Sequence, residues 1–174
     1  MVAWGNAPGN NQEQWPRAEG PAHSMPQSLD HILLHIVFST KDRFPFLVPS
    51  IRPALQAYLA AVVRNAGCGC PRIGAVSDHV HLAVQLTRTI TVASLVEQVK
   101  TSSSKWLKAH SSDLGDFAWQ RGYGVFSVGP SDLDALLLYI DNQQEHHRTR
   151  SYQDEYREFL KTYGLACGER YVWD

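Results

Sequence analysis

The segment Ser77-Asp78-His79-Val80-His81-Leu82-Ala83-Val84-Gln85-Leu86 sets two histidines into an alternating apolar run that is typical of a buried β-strand. Strand side chains repeat every second residue, so His79 and His81 leave the same face about 6 to 7 Å apart along the chain, within reach of one ion. Val80 and Leu82 point to the opposite face and predict a core there. Two histidines on a solvent-exposed strand face would give the same pattern, and for this motif alone that interpretation is favoured.

A second pattern, near the other end of the chain, favours a functional site. An apolar stripe with helical periodicity is formed by Leu133, Leu136, Leu137 and Ile140. Tyr139 and Gln143 are four residues apart, so they share a helix face beside that stripe. Two imidazoles, an amide oxygen and a phenol suit metal-assisted attack of tyrosine on a phosphodiester. Taken alone, Tyr139 is more simply a core residue, and Gln143 a solvated helix residue.

The remaining patterns give the order β-α-β-β-α-β, followed by further helices. Strands are predicted over residues 31–40, 70–76, 78–87 and 123–128, and helices over residues 50–65, 92–108, 131–147 and 152–163. Thr91, Ser131 and Ser151 are the expected N-caps of the last three helices. This order predicts an α+β fold, a ferredoxin-like split β-α-β antiparallel sheet with extra C-terminal helices, and it puts the two histidines on a central strand.

Composition limits the class of protein. The chain has 174 residues, 44% of them apolar, which suits one packed domain over residues 25–174. Residues 1–24, rich in Gly, Pro, Asn and Gln, predict a disordered extension. No apolar run approaches the length of a membrane span and no secretory signal is visible, so we expect no membrane contact and a cytoplasmic location. Three cysteines do not suggest a disulfide framework, and the Cys68-Gly-Cys70 spacing is tighter than that of usual zinc sites.

These motifs resemble the HUH nucleases, and among them the single-tyrosine transposases of insertion sequences, including the REP-associated tyrosine transposases. The resemblance extends from about residue 25 to residue 174. It is carried by residues 25–29 (MPQSL), 35–41 (HIVFSTK), 78–82 (DHVHL), 100–106 (KTSSSKW), 117–123 (FAWQRGY) and 139–147 (YIDNQQEHH). The HVH motif alone is weak evidence, but HVH followed by Y-x-x-x-Q and EHH in so short a chain is specific.

The resemblance implies a mechanism and partners. Tyr139 would be the nucleophile, leaving a 5′-phosphotyrosine link and a free 3′-OH. His79 and His81 would hold Mg²⁺ or Mn²⁺, completed by the glutamine four residues after the tyrosine, which corresponds to Gln143. The substrate would be single-stranded DNA with hairpins. A homodimer is expected, and in some members of the family the tyrosine helix of one subunit completes the site of the other.

The charge distribution permits a nucleic-acid partner without requiring one. The formal net charge is −1, but residues 41–121 carry ten Lys and Arg against five Asp and Glu. Lys100, Ser103 and Lys105 are predicted on the exposed side of the second helix, where they would hold the DNA backbone. An ordinary charged, solvated face is the alternative. Arg43 and Arg121 are further candidates for DNA contact.

Two aromatic residues, Trp119 and Tyr123, are candidates for stacking on unpaired bases, although Trp119 fits a core position equally well. His35 has no role that the sequence assigns. His146 and His147 suit either phosphate contact or a solvated helix end.

A single-strand DNA transposase is therefore the leading hypothesis. A non-mobile REP-type nuclease that processes hairpins would keep the same chemistry. A non-catalytic ferredoxin-like nucleic-acid-binding protein would bind without metal and would not need Tyr139. A zinc hydrolase built on His79 and His81 would bind zinc tightly and form no protein–DNA adduct.

Overall fold

The structure is a computed structural model and describes residues 29–146 and 151–166. The strands are β1 (Ile32–Ser39), β2 (Gly69–Ala75), β3 (His79–Leu86) and β4 (Gly124–Val128). The helices are α1 (Arg52–Asn65), α2 (Val92–His110), α3 (Leu133–Asp141), α4 (Gln143–His146) and α5 (Tyr152–Thr162). The predicted extension over residues 1–24, His147 and the side chain of His146 lie outside the described residues.

The strands form one antiparallel sheet in the order β2-β3-β1-β4. β3, which carries the histidines, pairs on both sides and is central, as predicted. With helices between β1 and β2 and between β3 and β4, this is the split β-α-β arrangement. The predicted α+β fold with additional C-terminal helices is therefore confirmed. Within the described ranges, no helix has both the length and the apolar character needed to cross a bilayer.

One face of the sheet carries the main core. Alternation along β1 and β3 directs apolar side chains towards α1 and α2. The buried residues of this face include Leu34, Ile36, Phe38, Val80, Leu82 and Val84 from the strands and Leu55, Leu59, Val63, Leu95, Val96 and Val99 from the helices. The opposite face has a smaller cluster of Val37, Phe126 and Tyr152, against which Tyr156 and Phe159 pack.

Two of the predicted helix caps are confirmed. The Ser94 N–H donates to Thr91 Oγ1 at 3.1 Å at the start of α2. The Asp154 N–H donates to Ser151 Oγ at 3.2 Å at the start of α5. Each bond satisfies a backbone donor that the first turn of a helix leaves without an intrahelical acceptor.

The predicted single helix over residues 131–147 is wrong. Ser131 lies in a 3₁₀ turn, Pro130–Asp132, and α3 begins without a side-chain cap. α3 ends at Asp141, the next residue Asn142 has a ψ of 9° that departs from helical geometry, and α4 follows as a separate turn. Tyr139 and Gln143 therefore belong to two short helices separated by Asn142, and not to one continuous helix as predicted.

Candidate active site

Two histidines of β3 form the centre of a buried polar site. His79 and His81 leave the same face of the strand, with ring centroids 5.0 Å apart, as the alternation predicts. Both side chains are completely buried. The alternative of a solvent-exposed pair is therefore wrong, because α3 and α5 cover this face of the sheet.

A carboxylate from α5 completes a group of possible metal ligands. Glu155 Oε2 lies 3.8 Å from His79 Nε2 and 3.7 Å from His81 Nε2. Nitrogen and oxygen donors from these residues all lie within 4.8 Å of one another. α5 brings the carboxylate here because Tyr152, Tyr156 and Phe159, at helical spacing, pack on the same side of the sheet.

Glu155 was not among the residues predicted from the sequence to bind a metal. An acidic residue in the first turn of a helix is explained by the helix dipole alone, so nothing called for a second role. A signal was nevertheless present, because Glu155 shares a helix face with Tyr152 and Phe159, three residues before it and four after it. A carboxylate on the apolar face of an amphipathic helix is costly to bury without partners, and so indicates a site.

Gln143 lies in the same cluster. Its side chain is buried, and its Nε2 donates to Glu155 Oε1 at 3.2 Å. A hydrogen bond from Gln143 also favours the charged form of His79. The interpretation of Gln143 as a solvated helix residue is therefore wrong.

Tyr139 lies against this cluster within the same chain. Its ring centroid is 5.8 Å from that of His81 and 6.0 Å from that of Phe159, with both pairs arranged edge to face. The ring is half-buried, and its hydroxyl oxygen is shielded from solvent. The structure thus brings together the tyrosine and the histidines that the sequence analysis selected from distant segments.

Two contacts attach α3 to the edge strand β2 and so fix where Tyr139 lies. Arg72 on β2 pairs with Asp141 at 3.3 Å. Gly74 allows the close approach, because a Cβ atom there would lie 2.8 Å from Ile140 Cγ2 and 3.0 Å from its carbonyl oxygen. Any other residue at this position would push the end of α3 away from the sheet.

Each histidine of the pair has a hydrogen-bond partner at its second ring nitrogen. His79 Nδ1 is 2.8 Å from Asp78 Oδ1. His81 Nδ1 is 2.9 Å from Nε2 of His35, a residue of β1 for which the sequence analysis found no role. These bonds direct both Nε2 atoms towards Glu155.

Burial controls the electrostatics of the cluster. It lowers the pKa of His35 to about 4 and lowers that of His79, where bonding to Asp78 and Gln143 opposes the shift. Burial, helped by the charges of Asp78 and Glu158, raises the pKa of Glu155 to about 8. His35 and His79 therefore favour the neutral form at pH 7, and a neutral His79 keeps the lone pair that metal ligation requires.

The donors fit a divalent cation. Two imidazole nitrogens and a carboxylate oxygen suit manganese or zinc, and magnesium less well because it prefers oxygen. Neighbouring ligands around a six-coordinate ion with bonds of about 2.1 Å lie about 3 Å apart. The separations of 3.7 and 3.8 Å are within one ångström of that spacing. Among the described residues, the group that could hold a metal ion consists of His79, His81 and Glu155. Cys68 and Cys70 are not part of it.

The predicted DNA-binding residues of α2 have different environments. Lys105 is exposed, as expected. Ser103 is not, so its predicted exposure is wrong. It lies one helical turn from both Val99 and Leu107 on the buried side of α2, and its Oγ accepts the Nε1–H of Trp119 at 2.9 Å. Trp119 is partly buried, packs against the main core edge-on to Phe38, and also lines the groove beside α2, so its predicted role in base stacking stays a prediction.

Lys100 is partly buried and is hydrogen-bonded to residues 120–122, the segment that follows Trp119. Trp119 itself forms an isolated β-bridge with Thr40. The Lys100 Nζ donates to the carbonyl oxygens of Gln120 at 2.9 Å and Gly122 at 2.6 Å. Between α2 and this segment runs a groove of about 570 Å³ whose cationic lining residues are Lys100, Lys105, Lys108 and Arg121. Arg121 and Lys105 are both exposed at it.

Arg43 has an unusual backbone. Its φ is 53° and that of the preceding Asp42 is 54°, a left-handed conformation that non-glycine residues rarely adopt. Its positive charge acts on His79, whose pKa it lowers slightly. Arg43 therefore lies near enough to the histidine site for its charge to be felt there.

Known proteins that are similar to this chain include transposases. A family model described as IS200-like transposase matches residues 28–143, which include both histidines, Tyr139 and Gln143 but not Glu155. A candidate transposase from Deinococcus radiodurans R1 has a similar structure, with a TM-score of 0.55 and 20% identity, covering 70% of this chain and 98% of that chain. A REP-associated tyrosine transposase bound to a REP hairpin has a TM-score of 0.53 and 14% identity, covering 72% and 74%.

At these identities the two structures establish the likeness of fold alone. The search of the curated proteins gave no match.

Proposed function

The chain belongs to the family of IS200-like transposases, and on that basis we propose that it cuts and rejoins single-stranded DNA at hairpin-flanked ends through a covalent link to Tyr139. One observation carries the proposal. The Tyr139 ring lies 5.8 Å from that of His81, in a buried cluster with His79 and Glu155. A phenol beside a set of metal-ligating groups is the combination that phosphodiester cleavage by tyrosine needs.

The chemical step is a transfer between two oxygens. The Tyr139 hydroxyl oxygen attacks a backbone phosphorus and loses its proton. The phosphorus–oxygen bond to the 3′ side breaks, and the 3′ oxygen gains a proton. A 5′-phosphotyrosine and a free 3′-OH result, and attack of a 3′-OH on the phosphotyrosine reverses the step. The bond energy is conserved in the covalent link, so no nucleotide cofactor is needed.

We propose that His79, His81 and Glu155 hold a divalent cation, with Mg²⁺ or Mn²⁺ as the expected ion. When bound, it would neutralise the phosphate oxygens during attack. Gln143 remains a predicted ligand. Its amide is hydrogen-bonded to Glu155, so it either joins the ligand set through its oxygen or holds the carboxylate in place.

The DNA backbone is proposed to contact Arg43, Lys105 and Arg121. Arg43 is proposed for the phosphate under attack because its positive charge is among the causes that lower the pKa of His79. Lys105 and Arg121 lie at the cationic groove, which supports contact with the flanking strand. Lys100 also lines this groove and would contribute its charge there. The proposed part of Ser103 is indirect, because it holds Trp119 beneath the segment that carries Arg121.

A DNA hairpin is proposed as the structured substrate, because the similar REP-associated transposase was solved with one. Tyr139 and the histidines of one chain already meet, which supports a site completed within a single subunit. A homodimer and a cytoplasmic location remain predictions. A non-mobile nuclease that processes hairpins would use the same site, and its gene would lack hairpin ends of its own.

The test is adduct formation on a single-stranded hairpin oligonucleotide with Mn²⁺ or Mg²⁺, analysed on a denaturing gel. The wild type should form a covalent adduct, and Tyr139→Phe should form none. Tyr163→Phe is the matched control, because Tyr163 is a partly exposed tyrosine whose hydroxyl donates to the Ser127 carbonyl. An adduct with Tyr139→Phe would remove the nucleophile. If the wild type binds the oligonucleotide but forms no adduct, the hypothesis of a non-catalytic nucleic-acid-binding protein is favoured. If it cleaves the oligonucleotide without forming an adduct, the hypothesis of a zinc hydrolase is favoured.

A further inference from the structure

His35 is a buried polar residue that the proposed chemistry does not use. It lies on β1, on the same face of the sheet as His81, and in the strand register it is opposite Ala83. Its Nε2 is 2.9 Å from His81 Nδ1, and the two ring planes differ by 21°. The rings are therefore joined edge to edge by a hydrogen bond across two neighbouring strands.

The surroundings of His35 are otherwise aromatic. The ring centroids of Phe159, Tyr139 and Phe126 lie 5.2, 6.1 and 6.2 Å from its own. If His35 only filled this space, an apolar side chain would do so without the cost of burying a polar ring. The contact with His81 is therefore the feature that calls for a histidine.

If both imidazoles are neutral, the hydrogen bond between them has two possible directions. In one, His81 donates from Nδ1 and leaves a lone pair on Nε2, the atom that faces Glu155. In the other, His35 donates from Nε2, and the proton of His81 is then on Nε2, where it blocks a metal ion. Only the first direction is compatible with ligation by His81.

We propose that His35 is a positioning residue, which accepts the Nδ1 proton of His81 and so keeps the Nε2 lone pair of His81 directed at the metal site. This inference rests on the proposed function of the same site. His79 has the matching arrangement with Asp78. An ionised carboxylate can only accept a hydrogen bond, whereas an imidazole can accept or donate one. His35 therefore fixes the tautomer of His81 less strictly than Asp78 fixes that of His79.

The first test is the affinity of the full-length chain for Mn²⁺, measured without DNA by the paramagnetic resonance signal of the free ion. His35→Leu removes the acceptor but keeps apolar bulk, and should weaken binding about 10- to 100-fold. His35→Gln puts an amide oxygen near the position of Nε2 and should recover most of the loss. His31→Leu, at an exposed histidine just before β1, should bind as the wild type does.

The second test is the ring ¹⁵N spectrum of the metal-free wild type. Protonation of His81 at Nδ1 supports the inference, and protonation at Nε2 overturns it. A folded His35→Leu protein with wild-type Mn²⁺ affinity also overturns it. If the wild type binds no Mn²⁺, the proposed metal centre fails, while the spectrum still decides the role of His35. If His35→Leu does not fold, the same spectrum and the His35→Gln affinity decide it.

Discussion

The two faces of the central strands differ in what they bury. Towards α1 and α2, β1 and β3 present only apolar side chains, among them Ile36, Phe38 and Leu82. Towards α3 and α5, the alternate positions of the same strands present His35, His79 and His81. Both of these sets of side chains are buried, but only one is apolar. One pair of strands therefore contributes to the main core from one side and to the candidate active site from the other.

The polar face is costly to bury unless its groups satisfy one another. They do so in pairs: Asp78 with the adjacent His79, His35 with His81 across β1 and β3, and Gln143 with Glu155 across α4 and α5. Such pairs recover the cost of desolvation without adding much net stability. The apolar face must then provide most of the stability, and substitutions on the two faces should have different consequences.

The largest effect on stability is expected on the apolar face. Leu82→Ala removes a side chain that is buried in the main core, one residue from His81 and pointing away from it. The free energy of unfolding should fall by about 2–5 kcal/mol because a cavity is added to the lost transfer energy. Urea unfolding measures it. A loss below about 1 kcal/mol would mean that this face is not the main source of stability.

On the polar face, we expect the free energy of unfolding to depend more on a bound Mn²⁺ ion than on the side chains themselves. Mn²⁺ at about 100 times its dissociation constant should stabilise the wild type by about 2.7 kcal/mol, and a chelator should remove the gain. Glu155→Gln keeps the shape of the side chain and an oxygen that accepts from Gln143. Its metal-free stability should be equal to or above that of the wild type, while the gain from Mn²⁺ should shrink.

Thermal unfolding with and without Mn²⁺ measures both parts of that prediction. The control is Glu97→Gln, on α2 and away from the histidines, which should keep the full gain. An unchanged Mn²⁺ gain in Glu155→Gln would exclude the carboxylate as a ligand and leave Gln143 as the predicted third one.

The sequence predicts the difference between the faces because a strand alternates with period two. His79-Val80-His81-Leu82 fixes both faces of β3 without knowledge of any neighbour. Glu155 could not be placed in the same way. Its position in the first turn of a helix has a sufficient local explanation, and its partners lie on another element across the sheet.

Ser103 and Asn142 illustrate two other limits. Ser103 was expected on the exposed side from its polarity, but its spacing from Val99 and Leu107 places it on the buried side, where Trp119 gives it a partner. The end of α3 at Asn142 was not predicted, because the residues beyond it are good helix formers. Packing of Ile140 on Gly74 fixes the end of α3 against the sheet, and that contact is not local.

The smallest expected effect on the free energy of unfolding comes from Lys100, which lies at the edge of the apolar face. Its Nζ lies 4.9 Å from the centroid of the Phe38 ring and donates to backbone carbonyls of residues 120–122. Burial lowers the pKa of Lys100 from 10.5 to about 8. Between these two pH values the unfolded chain holds a proton that the folded chain has released, so the stability of the folded state rises with pH.

The unfolding free energy of the wild type should therefore rise relative to that of Lys100→Met as the pH increases from about 8 towards 10.5, and the difference should be constant below pH 8. Because the amine is partly exposed, the rise should be small. Urea unfolding at pH 7, 8, 9 and 10 measures this rise, and Lys105→Met, which removes an exposed lysine of the same helix, is the matched control. A difference that falls with pH would mean that the three carbonyl acceptors stabilise the ammonium more than burial opposes it. Lys100 would then belong with the paired groups of the polar face, satisfied by its hydrogen bonds, and not with the apolar core that it borders.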